Sequence, residues 1–419
     1  MSKGLAIGID VGTSGVRVAA LDAQFHVVSV SKAAMDLSSG ERNDPTVWSA
    51  ALDEALSSML QTIPSHDIEA ICVDGTSGTV LALDSHDQPI GSALMYNDVV
   101  DDLEIPQAIA KVAPRQSAAH GSSSALARSI SLQRRTGIAR IAHQADWIAE
   151  LLTDKAMPSD ESNALKTGYD PIARAWPDWV AETGIRAELL PDVVATGTQT
   201  GTTSGAFGLP EGIPVVAGVS DGCASFLATG ASSPGDGVTA LGTTMTIKLL
   251  SDHPIFAPEF GIYSHRIGSQ WLAGGASNSG GGALAVHFSP DEIAALSQLI
   301  DTDVSCGLDY YPLPKQGERF PIGDPGLVSR VSPRPDAAHM FLHGLLEGIA
   351  NIELLGYQRL MELGGPKLKS IRSVGGGAEN QVWTRLRSRL LSVPVATVAS
   401  GEAAAGSARI AWSFLKGQT

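Results

Sequence analysis

The segment Ile7–Ser14, which reads IGIDVGTS, is the main basis for predicting the fold from this sequence. Apolar residues alternate with small ones as far as Asp10, a glycine turn follows at Gly12, and the alternation resumes after Gly15. A strand, a glycine turn and a second strand in this order predict a β-hairpin. Backbone N–H groups and hydroxyls in such a turn form a small concavity that suits phosphate oxygens.

The same pattern occurs again at Val238–Lys248, which reads VTALGTTMTIK. Its Gly242 lies 230 residues (242 − 12) after Gly12, and helical patterns follow both hairpins, among them Phe341–Leu363. Either hairpin alone is more often a plain structural turn than a phosphate site, but the repeat favours an internal duplication. We therefore predict an α/β protein of two duplicated domains, an arrangement that places an interdomain cleft between them.

Two further glycine segments follow predicted strands. Ile68–Val73 and Val80–Leu83 flank the turn Asp74–Gly78 (DGTSG), which predicts another hairpin. The segment Ser373–Asn380 runs from a strand into three glycines and then a helix, which would let a flat ligand approach the backbone. In that interpretation Asn380 would hydrogen-bond an adenine edge. The alternative is that the glycines only permit a sharp turn.

Two aspartates are candidates for chemistry. Asp10 precedes the first glycine turn, whereas Ala240 occupies the equivalent place before the second. An aspartate beside phosphate-binding amides is unfavourable without a cation, and Mg²⁺ acting through its bound water supplies one. Asp221 follows the predicted strand Ile213–Val219. It is either the cap of the next helix or a general base that takes the proton from a sugar hydroxyl.

The composition narrows the function classes. The chain has 419 residues, 43% hydrophobic and 17% charged, which predicts a folded protein of two domains. Its formal net charge of −15 would repel nucleic acid, and no apolar run has the roughly 18 residues of a membrane span. Three cysteines without a C-x-x-C pair predict a reducing, cytoplasmic location. The histidines lack metal-ligand spacing, which argues against a metal-dependent hydrolase.

Several of these segments together resemble a known family. Three of them resemble the phosphate-1, phosphate-2 and adenosine motifs of actin-like ATPases, namely Ile7–Asp22, Val238–Leu250 and Val374–Asn380. Three more resemble FGGY carbohydrate kinases within that superfamily, namely Ser220–Gly222, Trp271–Asn278 and Glu402–Gly406. The resemblance implies two ribonuclease H-like domains, a sugar-binding one at 1–229 and a nucleotide-binding one at 230–399. The resemblance also permits residues 400–419 to pack against the sugar-binding domain.

The resemblance also implies roles for individual residues in the ATP-dependent phosphorylation of a small sugar. Asp221 matches the catalytic base of the family, and Asp10 matches a residue near the acceptor hydroxyl that contacts magnesium through water. The residues that would face the phosphates of ATP are Gly12, Thr13, Ser14, Gly242, Thr243 and Thr244. The residues expected near adenosine are Gly376, Gly377 and Asn380.

The sugar is indicated less directly. Many FGGY kinases carry a Trp-x-Asp-x-Arg element for polyols, but the equivalent stretch Met95–Asp101 (MYNDVVD) has no arginine. The segments Asp74–Gly78 and His143–Trp147 resemble compact pentulose kinases instead, which makes Ser77 and Gly78 candidate sugar contacts. The leading hypothesis is a kinase that converts D-ribulose to D-ribulose 5-phosphate, with D-xylulose or another ketose or polyol as the alternative. A hypothesis of another class is an actin-like ATP-binding sensor without sugar chemistry.

Overall fold

The computed structural model describes residues 4–38 and 40–417, and the chain divides into two compact units. The first unit comprises Met1–Gly230, His265–Ser269 and Ala399–Thr419. The second comprises Ala231–Ser264 and Gln270–Val398. Within the described ranges, no helix is both long and apolar enough to cross a membrane.

The described part of the first unit is built on a six-stranded sheet of order β3-β2-β1-β4-β10-β9. Its strands and those of two small sheets are β1 Leu5–Val11, β2 Gly15–Leu21, β3 Val27–Ala34, β4 Ile68–Gly75, β5 Val80–Leu83, β6 Arg140–His143, β7 Ser159–Asp160, β8 Val193–Val194, β9 Gln199–Thr202 and β10 Pro214–Val216. The central strand β1 is buried along its whole length, antiparallel to β2 and parallel to β4. The carboxyl ends of β1 and β4 therefore lie side by side at one edge of the sheet.

Some helices of this unit pack on the six-stranded sheet, and others pack on the strand β5 or on one another. The helices are α1 Pro45–Leu60, α2 Glu104–Val112, α3 Ala125–Leu132, α4 Gln144–Thr153, α5 Glu161–Ala164, α6 Asp178–Glu182, α7 Asp221–Ala228 and α12 Ala403–Leu415. Helix α1 begins as its sequence predicts, because the Asp44 side chain accepts from Thr46 N and Pro45 takes the first helical position. Helix α12 packs on β1, and Trp412 Nε1 donates to Leu21 O at 2.9 Å.

The predicted hairpin at residues 68–83 is wrong. Strand β4 pairs with β1 on one side and β10 on the other, so both of its hydrogen-bonding edges are occupied. Strand β5 follows β4 along the chain but pairs with β6 in a separate two-stranded sheet. The turn chemistry of DGTSG is local, whereas the partner of β5 is decided by which sheet edges remain open.

The described part of the second unit contains a five-stranded sheet of order β13-β14-β12-β11-β15. Its elements are β11 Asp236–Leu241, β12 Met245–Ser251, β13 Tyr263–Ile267, β14 Gln270–Ser277, α8 Gly281–Ala285, α9 Pro290–Ser297, α10 Ala338–Glu362, β15 Ser370–Val374 and α11 Gln381–Leu391. Strand β11 is antiparallel to β12 and parallel to β15, and β12 is antiparallel to β14. The order β14-β12-β11-β15 repeats β3-β2-β1-β4, which confirms the predicted duplication of an α/β domain.

Candidate functional site

Three carboxylates lie at the carboxyl ends of neighbouring strands in the first unit. Asp10 on β1 and Asp74 on β4 are paired in register. A parallel bridge between Gly75 and Ser220 continues the sheet beyond β10, and Asp221 is the next residue. Carboxyl ends of parallel strands meet at one sheet edge, which is where open α/β sheets place their ligands.

Asp10 faces a cation from the same hairpin. Only 5% of the residue is exposed, and its Oδ2 lies 3.3 Å from Arg17 Nη1 on β2. Burial raises the pKa of Asp10, while a hydrogen bond with Asp74 and the charge of Arg17 oppose that rise. Arg17 Nε is also 3.6 Å from Glu402, just before α12. The sequence argument placed magnesium here as the required cation, and Arg17 supplies part of that compensation.

Asp74 is the fully buried member of the group. Its Oδ2 accepts a hydrogen bond from Ser407 on α12, while its Oδ1 meets no donor among the described residues. The pKa of Asp74 lies well above its usual range, because of its burial and then because of the neighbouring Asp10 carboxylate. Burial and the neighbouring carboxylate thus both disfavour a second negative charge beside Asp10.

Asp221 is at the start of helix α7 and lies close to the turn that contains Ser77. Ser220 occupies the cap position, so Asp221 is the first helical residue and is not the cap itself. Its Oδ1 accepts from its neighbour Gly222 N at 2.6 Å and, more weakly, from Ser77 N at 3.4 Å. Ser77 Oγ is buried and finds no hydrogen-bond partner among the described residues. A ligand hydroxyl bound beside Asp221 would satisfy it.

The turn that presents Ser77 is held from two sides. Gln144 Oε1, at the start of α4, accepts from Thr76 N at 2.9 Å and from Thr76 Oγ1 at 2.7 Å. Arg128 Nη2, on α3, donates to the carbonyl oxygen of Gly78 at 2.6 Å. The predicted sugar contacts Ser77 and Gly78 and the predicted base Asp221 are therefore close together.

The two glycine turns are both open to ligands. In the first, Gly12 and Thr13 are half-buried and Ser14 is exposed, with Gly12 N donating to Gly15 O at 3.0 Å. In the second, Gly242, Thr243 and Thr244 are all exposed. The second turn is tied to the start of α8, where Gly281 N and Gly282 N donate to the carbonyls of residues 242 and 243.

A cavity of about 640 Å³ lies in the second unit beside the predicted adenosine residues. Its walls include apolar side chains of α8 and α9, the glycines 376 and 377, and Trp383 on α11. An added Cβ on Gly376 would meet nothing within 4 Å, whereas one on Gly377 would lie 2.6 Å from Trp383. Volume and lining match a small-molecule site with a mainly apolar wall.

Asn380 lines this cavity, but its amide group is already hydrogen-bonded. Its Oδ1 accepts from Val382 N and Trp383 N, both at 3.0 Å, and so caps helix α11. Its Nδ2 donates to Ser297 Oγ at 3.0 Å. The adenine contact predicted from the sequence would have to share these bonds, so Asn380 shapes the wall more clearly than it offers a free amide.

Sequence reasoning missed four residues around the first site. Arg17 could have been found from the hairpin register, which sets it opposite Asp10. Asp74 was visible as a second aspartate at a strand end, with the same signal as Asp10. Gln144 and Arg128 contact the 76–78 turn from more than 45 residues away, and no local pattern indicates such contacts.

The fold and these motifs define a class before they define a family. The duplicated mixed sheets match the two-domain kinases of the actin-like ATPase fold. Residues 5–117 match the N-terminal domain of the FGGY family of carbohydrate kinases, and residues 237–413 match its C-terminal domain. The chain belongs to the FGGY family of carbohydrate kinases and is a phosphotransferase that acts on a sugar.

Individual relatives are distant but extend along the whole chain. The xylulose kinase of Streptomyces coelicolor is 26% identical over 99% of this chain and 89% of its own length. The xylulose kinase of Escherichia coli is 25% identical over 91% of this chain and 83% of its own. A Brucella ovis structure described as a xyloylose kinase superimposes with a TM-score of 0.85 at 23% identity, covering 99% of this chain and 91% of its own.

Proposed function

We propose that this protein transfers the γ-phosphate of ATP to the terminal hydroxyl of a ketopentose, with Asp221 as the general base. The observation that carries this proposal is the position of Asp221, which lies against the Ser77 turn and follows the strand edge that bears Asp10. A carboxylate beside an unsatisfied buried hydroxyl, at the ligand-binding edge of a sheet, suits an acceptor that is itself an alcohol.

In the proposed reaction the sugar hydroxyl gives its proton to the Asp221 carboxylate. The sugar oxygen forms a bond to the γ-phosphorus, the bond to the β–γ bridging oxygen breaks, and ADP leaves. Amide hydrogen bonds from Ser77 and Gly222 to Oδ1 hold the carboxylate in one orientation. Base catalysis of this kind is worth about 10²–10⁴ in rate, and positioning accounts for much of the rest.

The second unit would bind the nucleotide. The cavity beside Gly376 and Gly377 has room for adenosine, and the exposed amides of Gly242–Thr244 would bind phosphate oxygens. We likewise propose that Gly12–Ser14 face the phosphates from the first hairpin.

Magnesium fits the carboxylates of the first unit. Among the described residues no three His, Cys, Asp or Glu side chains form a cluster that would hold a metal alone. Mg²⁺ at phosphate-transfer sites needs only one or two carboxylates together with the phosphates. Asp10 fits that part through bound water, and the ion would offset the charge of the transferring phosphate.

Two ketopentoses are candidates. The DGTSG turn with Ser77 favours D-ribulose by its resemblance to compact pentulose kinases, whereas the relatives named xylulose kinase favour D-xylulose. The absence of an arginine from Met95–Asp101 argues against carrying over the sugar contacts of glycerol- or xylulose-type sites. The cytoplasmic location stays a prediction from the cysteines.

A substrate panel tests the proposal. ADP release is measured with Mg-ATP and D-ribulose, D-xylulose, ketohexoses, glycerol and other polyols, and kcat/KM is compared across the panel. We expect the largest kcat/KM for one of the two ketopentoses. A polyol or hexose preference would contradict the ketopentose assignment. ATPase activity unchanged by every sugar would instead favour the ATP-binding sensor.

A further inference from the structure

We propose that Arg128 is a positioning residue of the sugar site, whose guanidinium holds the Ser77–Gly78 turn against the segment Tyr96–Asp98. The inference deepens the proposed function and rests on it, because it takes the Ser77 turn as part of the sugar site. Arg128 itself lies behind the turn and contacts main chain, so it is assigned no contact with the sugar.

The guanidinium is surrounded by carbonyl oxygens. Arg128 is 2% exposed, and its Nη2 donates to Gly78 O at 2.6 Å. Its Nη1 lies 3.1 Å from both Tyr96 O and Asp98 O, and 2.5 Å from Ser123 O. A planar group with fixed donors binds several acceptors in one geometry, which a single ammonium cannot do. One side chain thus connects three separate stretches of backbone.

Among the described residues no carboxylate lies at ion-pair distance from the buried Arg128, although the charge of the more distant Asp98 raises its pKa. Burial lowers the pKa of Arg128 to about 10, so the group remains charged at neutral pH. An apolar side chain would fill the same space without the unfavourable burial of a charge. The hydrogen bonds of the guanidinium go to backbone carbonyls, all from its two Nη atoms, which points to a role in fixing the path of that backbone.

The backbone that Arg128 holds at Gly78 directly follows Ser77 of the proposed sugar site. Gly78 has a φ of +85°, and a Cβ added there would lie 3.1 Å from Arg128 Nη2. Ser77, the preceding residue, carries the buried unsatisfied hydroxyl and the amide that faces Asp221. A shift of the Gly78 carbonyl therefore moves Ser77 relative to Asp221.

A second, independent contact joins the same two segments. Tyr96 N donates to Thr79 Oγ1 at 3.0 Å, and Thr79 Oγ1 lies 2.6 Å from Thr76 Oγ1. The segment Met95–Asp101 has no arginine of its own, and the guanidinium that binds it comes from α3 instead. Two contacts between the turn and residues 96–98 are what a rigid wall of a small-sugar site requires.

The test compares Arg128→Lys with Arg135→Lys. Arg135 also donates to two carbonyls, Ile90 O at 2.5 Å and Ser92 O at 2.7 Å, but these lie away from the turn. We expect Arg128→Lys to lower kcat/KM for the preferred ketopentose about 10- to 100-fold, mainly through KM for the sugar. The KM for ATP should stay within about twofold, because the proposed nucleotide residues are elsewhere. Arg135→Lys should leave both values within about twofold.

The variant Thr79→Val provides a second route to the same answer. It removes the contact between Tyr96 N and the turn while keeping the shape of the side chain, so it tests the wall even where Arg128→Lys does not fold. We expect a loss in the same direction, about three- to tenfold in kcat/KM for the sugar. Sugar kcat/KM values for Arg128→Lys and Thr79→Val that match Arg135→Lys would overturn the positioning role.

Amide hydrogen exchange separates failure of this inference from failure of the proposed function. We expect faster exchange at residues 77–80 and 96–98 in Arg128→Lys than in the wild type or in Arg135→Lys, with the second unit unchanged. This result would support the structural part even if no sugar in the panel were phosphorylated. Unchanged exchange in those two segments would contradict it even in an active kinase.

Discussion

The hairpins β1–β2 and β11–β12 are two copies of one structure that differ in charge. Asp10 is paired across the first hairpin with Arg17, whereas Ala240 is paired across the second with Thr246. Both turns begin with Gly-Thr, and the strand order around them is the same. The shared part carries the amides and hydroxyls that the proposed phosphate binding needs. The charged pair occurs in one copy, and that copy belongs to the unit that also carries Asp221.

The two copies are also supported differently from behind. Beneath the first hairpin, a Cβ added to Gly8 would lie 1.8 Å from Ala404 O, so helix α12 packs directly on β1. Beneath the second, Thr239 Oγ1 donates to Glu353 at 2.5 Å, and Glu353 binds the guanidinium of Arg387. Close packing supports the first hairpin, and a buried polar network supports the second.

The largest expected effect concerns Asp221, which lies in the same unit as the charged hairpin β1–β2. Replacing Asp221 by Asn keeps the shape of the side chain but removes the base, so kcat should fall about 10²- to 10⁴-fold. Nucleotide affinity, measured by equilibrium titration with ATP, should change little, because the proposed nucleotide residues lie in the other unit. Asp84→Asn, in an exposed turn of the same unit, serves as the control. Full turnover by a folded Asp221→Asn protein would refute the base assignment.

The next effect is a loss of stability when the buried polar network behind the second hairpin is broken. Glu353 and Arg387 are both fully buried, with Arg387 Nε 2.5 Å from Glu353 Oε2. Glu353→Ala leaves a buried guanidinium without its partner, which typically destabilises a protein by about 3–5 kcal/mol. The free energy of unfolding in urea measures this loss.

A matched control for that pair is available on the same helix. Glu362 forms an exposed ion pair with Arg359 at 2.9 Å, and such pairs contribute about 0–1 kcal/mol. Glu362→Ala should therefore leave the urea midpoint almost unchanged. Equal shifts for the two variants would show that the buried network gives the second hairpin no particular support.

Disturbing the packing behind the first hairpin should cause a smaller loss of stability. Gly8→Ala adds a methyl group where the Ala404 carbonyl stands, so β1 and α12 must separate. Overpacking of this kind is destabilising by about 1–3 kcal/mol or more. Gly401→Ala, close to the same helix but with nothing within 4 Å, is the control and should be neutral. A thermal unfolding midpoint for Gly8→Ala equal to that of Gly401→Ala would disprove the close approach.

Local patterns predicted both hairpins, the start of α1 at Pro45 and the end of β15 at Val374, because turn and cap chemistry lies within a few residues. The partner of β5 could not be predicted in this way. It depends on β1 and β10 occupying both edges of β4, which is a property of the assembled sheet.

The candidate site likewise has residues that the local sequence predicts and properties that arise only on folding. Asp10 and Asp221 stand out in the sequence because each lies near the end of a predicted strand, just before a glycine turn or next to a glycine. The raised pKa of Asp74 depends on burial and on Asp10, and the support of Ser77 depends on Arg128 and Gln144 in other elements. Electrostatic environment and long-range hydrogen bonds are created by folding, so one sequence does not display them.

The smallest expected effect comes from giving the second hairpin the charge of the first. Ala240 is half-buried before the exposed turn Gly242–Thr244 and faces Thr246, so no arginine stands opposite it. Ala240→Asp would place a carboxylate near the amides proposed to bind phosphate. Repulsion of about 1.4 kcal/mol corresponds to a tenfold increase in KM for ATP. The KM for the sugar should remain within about twofold.

Two companion variants locate the cause of that increase. Ala240→Asn has nearly the same size as the aspartate without its charge, so it should keep most of the ATP affinity. Ala240→Asp combined with Thr246→Arg recreates the cross-strand pair of the first hairpin and should restore part of the affinity, since the arginine offsets the added charge. Equal KM values for the Asn and Asp variants would mean that volume alone separates the hairpins. A rescued double variant would show that the Asp10–Arg17 pair is compatible with phosphate binding, and that the charge difference between the copies reflects chemistry rather than affinity for the nucleotide.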